Sequence, residues 1–332
     1  LKTNKILSMS TIVEQKLAIG IDLGGTTTKF GIVDAEGNIL EQDRIPTASE
    51  KAINYFVDDL HGKLQPMIER TGGKSAFVGI GMGAPNGNLY TGNIEYAANL
   101  HWKGIVPIAH LITEKFGIKT ILTNDANAAA MGEMMYGAAK GMKHFITITL
   151  GTGVGSGIVI DGKMVVGHDG FAGELGHNIV RFNGRLHKGT GSRGCLEAYA
   201  SATGVRDTAI EFLHANPTTL SLLRNFTEAE LTSQTVYDCA VKGDEIAKNI
   251  FDFTGEILGE ALANFVMFSS PQAIILFGGL TKAGSFIMTP TKEAMERNLY
   301  QVFKNKVQLM FSNLQESDAA ILGASALVWE VK

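Results

Sequence analysis

A glycine-threonine hairpin occurs twice in this chain and constrains its fold more than any other feature. The first copy, LAIGIDLGGTTTKFGIVDAEGNIL, runs from Leu17 to Leu40, and the second, FITITLGTGVGSGIVIDGKMVV, from Phe145 to Val166. Placing Gly24 on Gly151 also places Ile19 on Ile146, Leu23 on Leu150 and Asp34 on Asp161. Each copy reads as apolar strand, Gly/Thr turn, apolar strand, short turn and third strand. One difference matters: Asp22 ends the first strand of the first copy, and Thr149 takes that place in the second. Glycines that open the backbone N–H groups, with hydroxyls beside them, suit an anion. Two such turns, one of them acidic, predict a nucleotide held between two related domains.

The remaining composition narrows the class. Glycine supplies 39 of 332 residues, against an average of about 7%, and the glycines punctuate apolar runs rather than forming one tract. Charged residues are 19% and the net charge is −4, with no basic run to track a nucleic-acid backbone. The two cysteines, Cys195 and Cys239, give no disulfide framework and point to a reducing cytoplasm. No apolar stretch reaches the roughly 18 residues of a membrane span. Residues 1–16, LKTNKILSMSTIVEQK, lack the apolar core and cleavage site of a signal peptide and read as a flexible leader.

Strands alternate with helices along the rest of the chain, which predicts an α/β fold with largely parallel sheets. The spacing predicts helices over 50–71, 106–116 and 126–136 in the first half. In the second half it predicts helices within 196–213, 228–242 and 245–268, near 292–300, and over 319–331. Short apolar runs at 76–82, 120–123, 273–277 and 307–310 read as strands.

The chemistry-bearing residues cluster at strand ends. Asp22 is placed to hold Mg²⁺, directly or through water, beside phosphates. Gly24 and Gly25 make the turn, and Thr26, Thr27 and Thr28 offer hydroxyls; the alternative is an ordinary tight hairpin. In LGTGVGSG, Thr152 and the N–H groups from Gly153 onward face the same task. This is neither a Walker A nor a Rossmann fingerprint, because a strand follows the glycines. Asn124 and Asp125 close a strand just before a helix, where α/β folds open their ligand crevice. Asp125 there is either a base that orients a substrate hydroxyl or a helix N-cap. Glu174 and His177 in FAGELGHN suit hydrogen bonds to a polyol or a solvated loop. Glu197 is a third polyol ligand or a first-turn acid. At Gly278-Gly279 the backbone is free to pass under a base or ribose, or simply to turn.

The order DLGGT (22–26), APNGN (84–88), NDANAAAMGE (124–133), LGTGVGSG (150–157), GELGH (173–177), RGCLEAYAS (193–201), LFGGL (276–280) and ILGAS (321–325) resembles the ROK family of bacterial sugar kinases and regulators, closest to its glucokinases. The resemblance covers nearly the whole chain from Leu17. It implies a duplicated actin/hexokinase-like (ribonuclease H-like) two-domain fold with an interdomain cleft. The smaller domain is expected over 17–123 completed by 319–332, and the larger over 124–318. It implies transfer of the ATP γ-phosphate, with Mg²⁺, to the 6-hydroxyl of a hexose. Glucose is the first expectation; N-acetylmannosamine, N-acetylglucosamine or another hexose is the alternative.

By the same resemblance Asp125 matches the base, and Asn124, Glu174, His177 and Glu197 match sugar ligands. Gly24, Gly25, Thr26, Thr27, Thr152, Gly153 and Gly279 match nucleotide contacts, and a homodimer is implied. Family regulators carry a DNA-binding domain before the DxGGT hairpin; only 16 weakly basic residues stand there, so no nucleic-acid partner is expected. Most members also hold a structural zinc with the GH histidine and CxCGxxGC. Here two of those cysteine positions are Lys188 and Thr190, leaving His177 and Cys195 with His187 beside a lost position. A closed zinc site takes four N/S ligands, so no structural zinc is expected.

Overall fold

The computed structural model describes residues 16–329. The leader expected over 1–16 lies outside the described residues except for Lys16, as do residues 330–332. The first half runs β1 (Leu17–Leu23), β2 (Thr27–Asp34), β3 (Ile39–Pro46), α1 (Ile53–Arg70), β4 (Phe77–Gly83), β5 (Ile94–Glu95), β6 (Ile105–Val106), α2 (Ile108–Phe116), β7 (Thr120–Thr123) and α3 (Asp125–Met135). The second runs β8 (Phe145–Leu150), β9 (Val154–Ile160), β10 (Lys163–Met164), α4 (Glu197–Ala200), α5 (Ala202–Ala215), α6 (Ser233–Val241), α7 (Glu245–Ser269), β11 (Ala273–Phe277), α8 (Ser285–Asn298), β12 (Gln308–Phe311) and α9 (Glu316–Ala326).

The repeat in the sequence becomes a repeat in the sheets. The first has strand order β3-β2-β1-β4-β7 and the second β10-β9-β8-β11-β12. In each, two antiparallel pairings of the hairpin are followed by two parallel ones. The central strands are buried along nearly their whole length, as unbroken apolar runs require. The first core packs β1, β2 and β4 on α1 and α2, where α1 buries Phe56, Val57, Leu60, Leu64, Met67 and Ile68 at helical spacing. The second packs β8 and β11 on α5 to α8.

The last helix returns to the first sheet. α9 lies on β1 and β4 and also packs on α3. Gly20 and Gly81, neighbours in register on β1 and β4, make this seat. A Cβ at Gly20 would run into the Ile321 carbonyl and one at Gly81 into the Ala324 carbonyl.

Several helix limits differ from the sequence reading, each for a local reason. The stretch 196–213 is two helices, because Ser201 is extended and its side chain caps α5 by accepting from the Gly204 N–H. Within the expected 228–242 the helix occupies Ser233–Val241, after a reciprocal Thr232/Thr235 capping box. The helix expected from 292 begins at Ser285 and carries Pro290 inside it. There Gly255 of α7 leaves room for the Pro290 ring, so packing overrides the proline signal. Helix α2 starts after Pro107 rather than at Val106.

Candidate active site

Both hairpins end their first strands at the same gap, at the C-terminal ends of the parallel strands, where α/β folds place ligands. A cavity of about 170 Å³ there is lined by Asp22, Gly83, Asp125, Thr149, Phe277 and Ala319, among others. The two residues that distinguish the repeats, Asp22 and Thr149, thus face one space, with Asp125 between them.

The first turn is closed by the Gly24 N–H donating to the Thr27 carbonyl, 3.1 Å. Thr47 braces it from β3's end, its N–H to the Thr26 carbonyl and its hydroxyl to the Gly24 carbonyl, 2.6 Å. Thr26 is exposed, Gly24, Gly25 and Thr27 are half-buried, and Thr28 is fully buried. The Thr28 hydroxyl pairs with that of Thr47 at 2.9 Å. This corrects the expectation that Thr28 offers its hydroxyl to a phosphate: strand alternation turns it into the core. In the second turn the Thr149 hydroxyl accepts the Gly155 N–H at 3.1 Å. Where the first copy has a charge, the second has an internal staple.

Desolvation pushes the Asp22 pKa up from 3.8 to about 6, with the Asp125 charge adding to the rise and Lys29 opposing it. Asp125 faces the open cleft, yet the protein around it also raises its pKa, and hydrogen bonding to the Ala126 N–H opposes that rise. The structure assigns the helix cap to Asn124, whose Oδ1 accepts the Asn127 N–H at 2.7 Å. Asp125 is therefore the first residue of α3 rather than its cap, with Oδ1 accepting the Ala126 N–H at 2.9 Å. Asn124 keeps its amide Nδ2 for other partners.

Glu174 and His177 lie outside the lining of that cavity, on the loop after β10. Desolvation raises the Glu174 pKa; His177 lowers it, and the Asp125 and Glu197 charges raise it further. These four groups therefore share one electrostatic neighbourhood. The His177 Nε2 is 3.9 Å from the Glu174 carboxylate, too far for a hydrogen bond. Thr152 and Gly153 line a second cavity, about 240 Å³, together with Glu197, His187 and Thr203. Glu197 accepts the Val154 N–H at 2.7 Å. A Cβ at Gly153 would meet that carboxylate and push the Glu197 side chain from its place. Gly279 opens a short helical turn after β11, next to Gly278, which abuts the Leu150 carbonyl.

Three positioning features escaped the sequence reading. The Asn88 side chain donates across the gap to the Asp169 carbonyl at 2.7 Å, and the Tyr90 hydroxyl to that of Gly167 at 2.8 Å. The Asn-Gly of APNGN marked the turn but not its reach. Ser156 holds the Glu174 loop on β9: its hydroxyl donates to the Gly173 carbonyl and accepts the Leu175 N–H. A serine among glycines was the only signal. His187 stands against Glu197, 2.7 Å away.

Two like sheets joined across a cleft, with carboxylates at its base, define an actin/hexokinase-like fold of the phosphotransferase class. The chain belongs to the ROK family, which it matches over residues 18–331. It is 34% identical over 312 residues to a glucokinase of Halalkalibacterium halodurans, covering 93% of this chain and 94% of that one. A ROK glucokinase from Streptomyces griseus, solved with glucose and AMPPNP, shares 31% identity and a TM-score of 0.76 over 94% of this chain and 98% of that one. A xylose repressor of Bacillus spizizenii is 29% identical over 316 residues, covering 94% of this chain and 77% of the repressor. Among the described residues no helix is long and apolar enough to cross a membrane.

Proposed function

We propose that the protein phosphorylates a hexose, glucose first, at its 6-hydroxyl using ATP. The observation that carries this is the meeting of Asp22, Asp125 and Thr149 in one cavity between the two sheets. The similarity to glucokinases supports the choice of sugar.

The turns at Gly24, Gly25, Thr26 and Thr27, and at Thr152 and Gly153, receive the triphosphate through backbone N–H groups and hydroxyls, with Gly279 beside the nucleoside. Asp22 fits a divalent cation, since burial and the Asp125 charge leave its carboxylate short of counter-charge. Bound there, Mg²⁺ neutralises phosphate oxygens. Asn124, Glu174, His177 and Glu197 bind the sugar hydroxyls. Asp125 accepts a hydrogen bond from the 6-hydroxyl, aligns its oxygen with the γ-phosphorus and takes the proton as the new P–O bond forms and the bond from the γ-phosphorus to the ADP oxygen breaks, with ADP leaving. Alignment and charge neutralisation supply most of phosphoryl transfer. The lobes, 17–123 with 319–332 and 124–318, close over the sugar and exclude water. A cytoplasmic homodimer, joined through the larger lobe, completes the reading.

A coupled ADP-release assay over a panel of hexoses tests this. Release that depends on glucose is expected. Preference for N-acetylmannosamine or N-acetylglucosamine would move the substrate within the kinase reading. Retardation of promoter DNA with no sugar-dependent ADP release would replace it with a repressor.

A further inference from the structure

The family resemblance implies a zinc site on the sugar loop, and the donors present can be tested against it. His177, His187 and Cys195 bring three ligand atoms within 4.8 Å of one another. A closed structural zinc takes four N/S ligands, and positions 188 and 190 hold Lys188 and Thr190. The ring nitrogens of His187 are already engaged. Its Nε2 lies 2.7 Å from Glu197 Oε1 and its Nδ1 2.8 Å from the Thr190 hydroxyl. A metal would have to take a nitrogen from one of these partners. The donors present do not fit a closed metal site.

They form a polar relay instead. The Ser192 hydroxyl meets that of Thr190 at 2.8 Å, Thr190 meets His187, His187 meets Glu197, and Glu197 accepts the Val154 N–H. The relay is backed by main chain: the His187 N–H donates to the Ser192 carbonyl and the Gly191 N–H to the His187 carbonyl, both 2.8 Å. The side chains of His187 and Glu197 are each only 18% exposed, so bulk salt screens the pair less than a surface pair. Each Glu197 carboxylate oxygen spends one acceptor site on this relay and keeps another. Glu197 is thereby held in place while still able to accept hydroxyls.

We propose that His187 is a positioning residue for Glu197, and that the His187–Glu197 pair does in this chain the cross-linking that a metal would otherwise do. It ties the loop 184–195 to the turn between β8 and β9, so that the sugar-facing carboxylate and the phosphate-facing backbone are set by one contact. The inference rests on the reading of Glu197 as a sugar ligand.

The test compares steady-state kinetics of the full chain, four single variants and one double variant, with metal analysis of the purified protein. His187→Ala should raise the glucose KM about tenfold or more, as expected for a lost hydrogen bond to a charged group, with kcat changed much less. His187→Gln, which keeps an N–H donor, should recover most of that. Thr190→Val, the milder change, should raise KM about threefold, for the neutral hydrogen bond it removes. Glu197→Gln should raise KM at least as much as His187→Ala, and adding His187→Ala to it should change little, because coupled residues are not additive. Elemental analysis should find well under one zinc per chain, and EDTA dialysis should leave both Tm and KM unchanged.

Stoichiometric zinc whose removal lowers Tm would overturn the proposal. So would a raised KM in Glu197→Gln with KM unchanged in both His187→Ala and Thr190→Val. An unchanged KM in Glu197→Gln would instead overturn the sugar-ligand reading beneath it, and the proposal with it.

Discussion

The two sheets are the same object built twice, and they differ where it matters chemically. Strand order and pairing sense agree from edge to edge. At the mouth, the first hairpin presents a desolvated carboxylate, Asp22, and the second a hydroxyl, Thr149, that spends itself on the Gly155 N–H. Duplication supplied two backbone cradles; one substitution gave only one of them a charge. Two carboxylates already share this cavity, and a third at position 149 would raise all their pKa values further. The asymmetry lets a highly charged ligand sit between two similar turns without three like charges meeting.

The comparison can be broken most severely at the residue both turns share. Asp125→Asn is expected to keep sugar binding and lower kcat by about three decades or more, from lost alignment and proton acceptance. Stopped turnover with an unchanged glucose Kd is the signature. Near-normal turnover of the pure variant would remove Asp125 from the mechanism.

Next come the distinguishing residues themselves. Asp22→Asn should cost about two decades in kcat, the scale of losing one charge-stabilising group, and should weaken the response to Mg²⁺. Thr149→Val should cost about tenfold, since it frees one neutral hydrogen bond. Equal losses in kinetic assays would mean that the two turns do not divide the work.

The pH dependence sharpens the same contrast. Asp22 titrates near 6 in the folded protein, against 3.8 for an unperturbed side chain. The folded state therefore binds this proton more tightly than the unfolded chain. Its contribution to stability is full at low pH and is lost as pH rises through about 6. Asp22→Asn should then be more stable than the native protein above pH 6, with the difference closing toward pH 4, as read by urea denaturation. In the native enzyme kcat/KM at limiting Mg²⁺ should rise through the same window, and that limb should vanish in Asp22→Asn. Because the two carboxylates interact, Asp125→Asn should move the midpoint down.

The smallest effect concerns the helices that cover the two sheets. Gly81→Ala drives a Cβ into the Ala324 carbonyl of α9, a backbone atom, and should cost about 1–3 kcal/mol by overpacking. Gly157→Ala in β9 meets the Ala130 Cβ and the Ala126 carbonyl of α3, both rigid but less closely approached than the Ala324 carbonyl at Gly81, and should fall lower in that range. Chemical denaturation of the pair measures the difference.

Much of this was legible in the sequence, and the reasons are specific. The hairpins were readable because buried strands write unbroken apolar runs and tight turns demand glycine. Asp125 was readable because a strand-to-helix junction is local. The destiny of Thr28 was not, because it depends on Thr47 across the strand pair. The choice between base and cap for Asp125 stayed open because either Asn124 or Asp125 suits the junction, and only the backbone angles choose. Helix α8 begins at Ser285, ahead of the expected 292, and the glycine that accommodates its Pro290 lies on another helix, beyond the reach of local sequence. His187 was invisible as a partner of Glu197, since nothing in sequence brings two residues on opposite sides of a loop to 2.7 Å.

The seat of α9 has a consequence for how the chain is made. The glycine notch on β1 and β4 is among the first parts of the fold to be synthesised, and the helix that fills it is the last. Domains generally begin to fold in order of synthesis, but this first lobe waits with an open apolar notch until residues 316–326 arrive. The second sheet is covered instead by α3, which precedes it in the chain, although α3 itself also packs on α9. The two sheets of one duplication are thus separated in time as well as in charge: the second can be covered before the first.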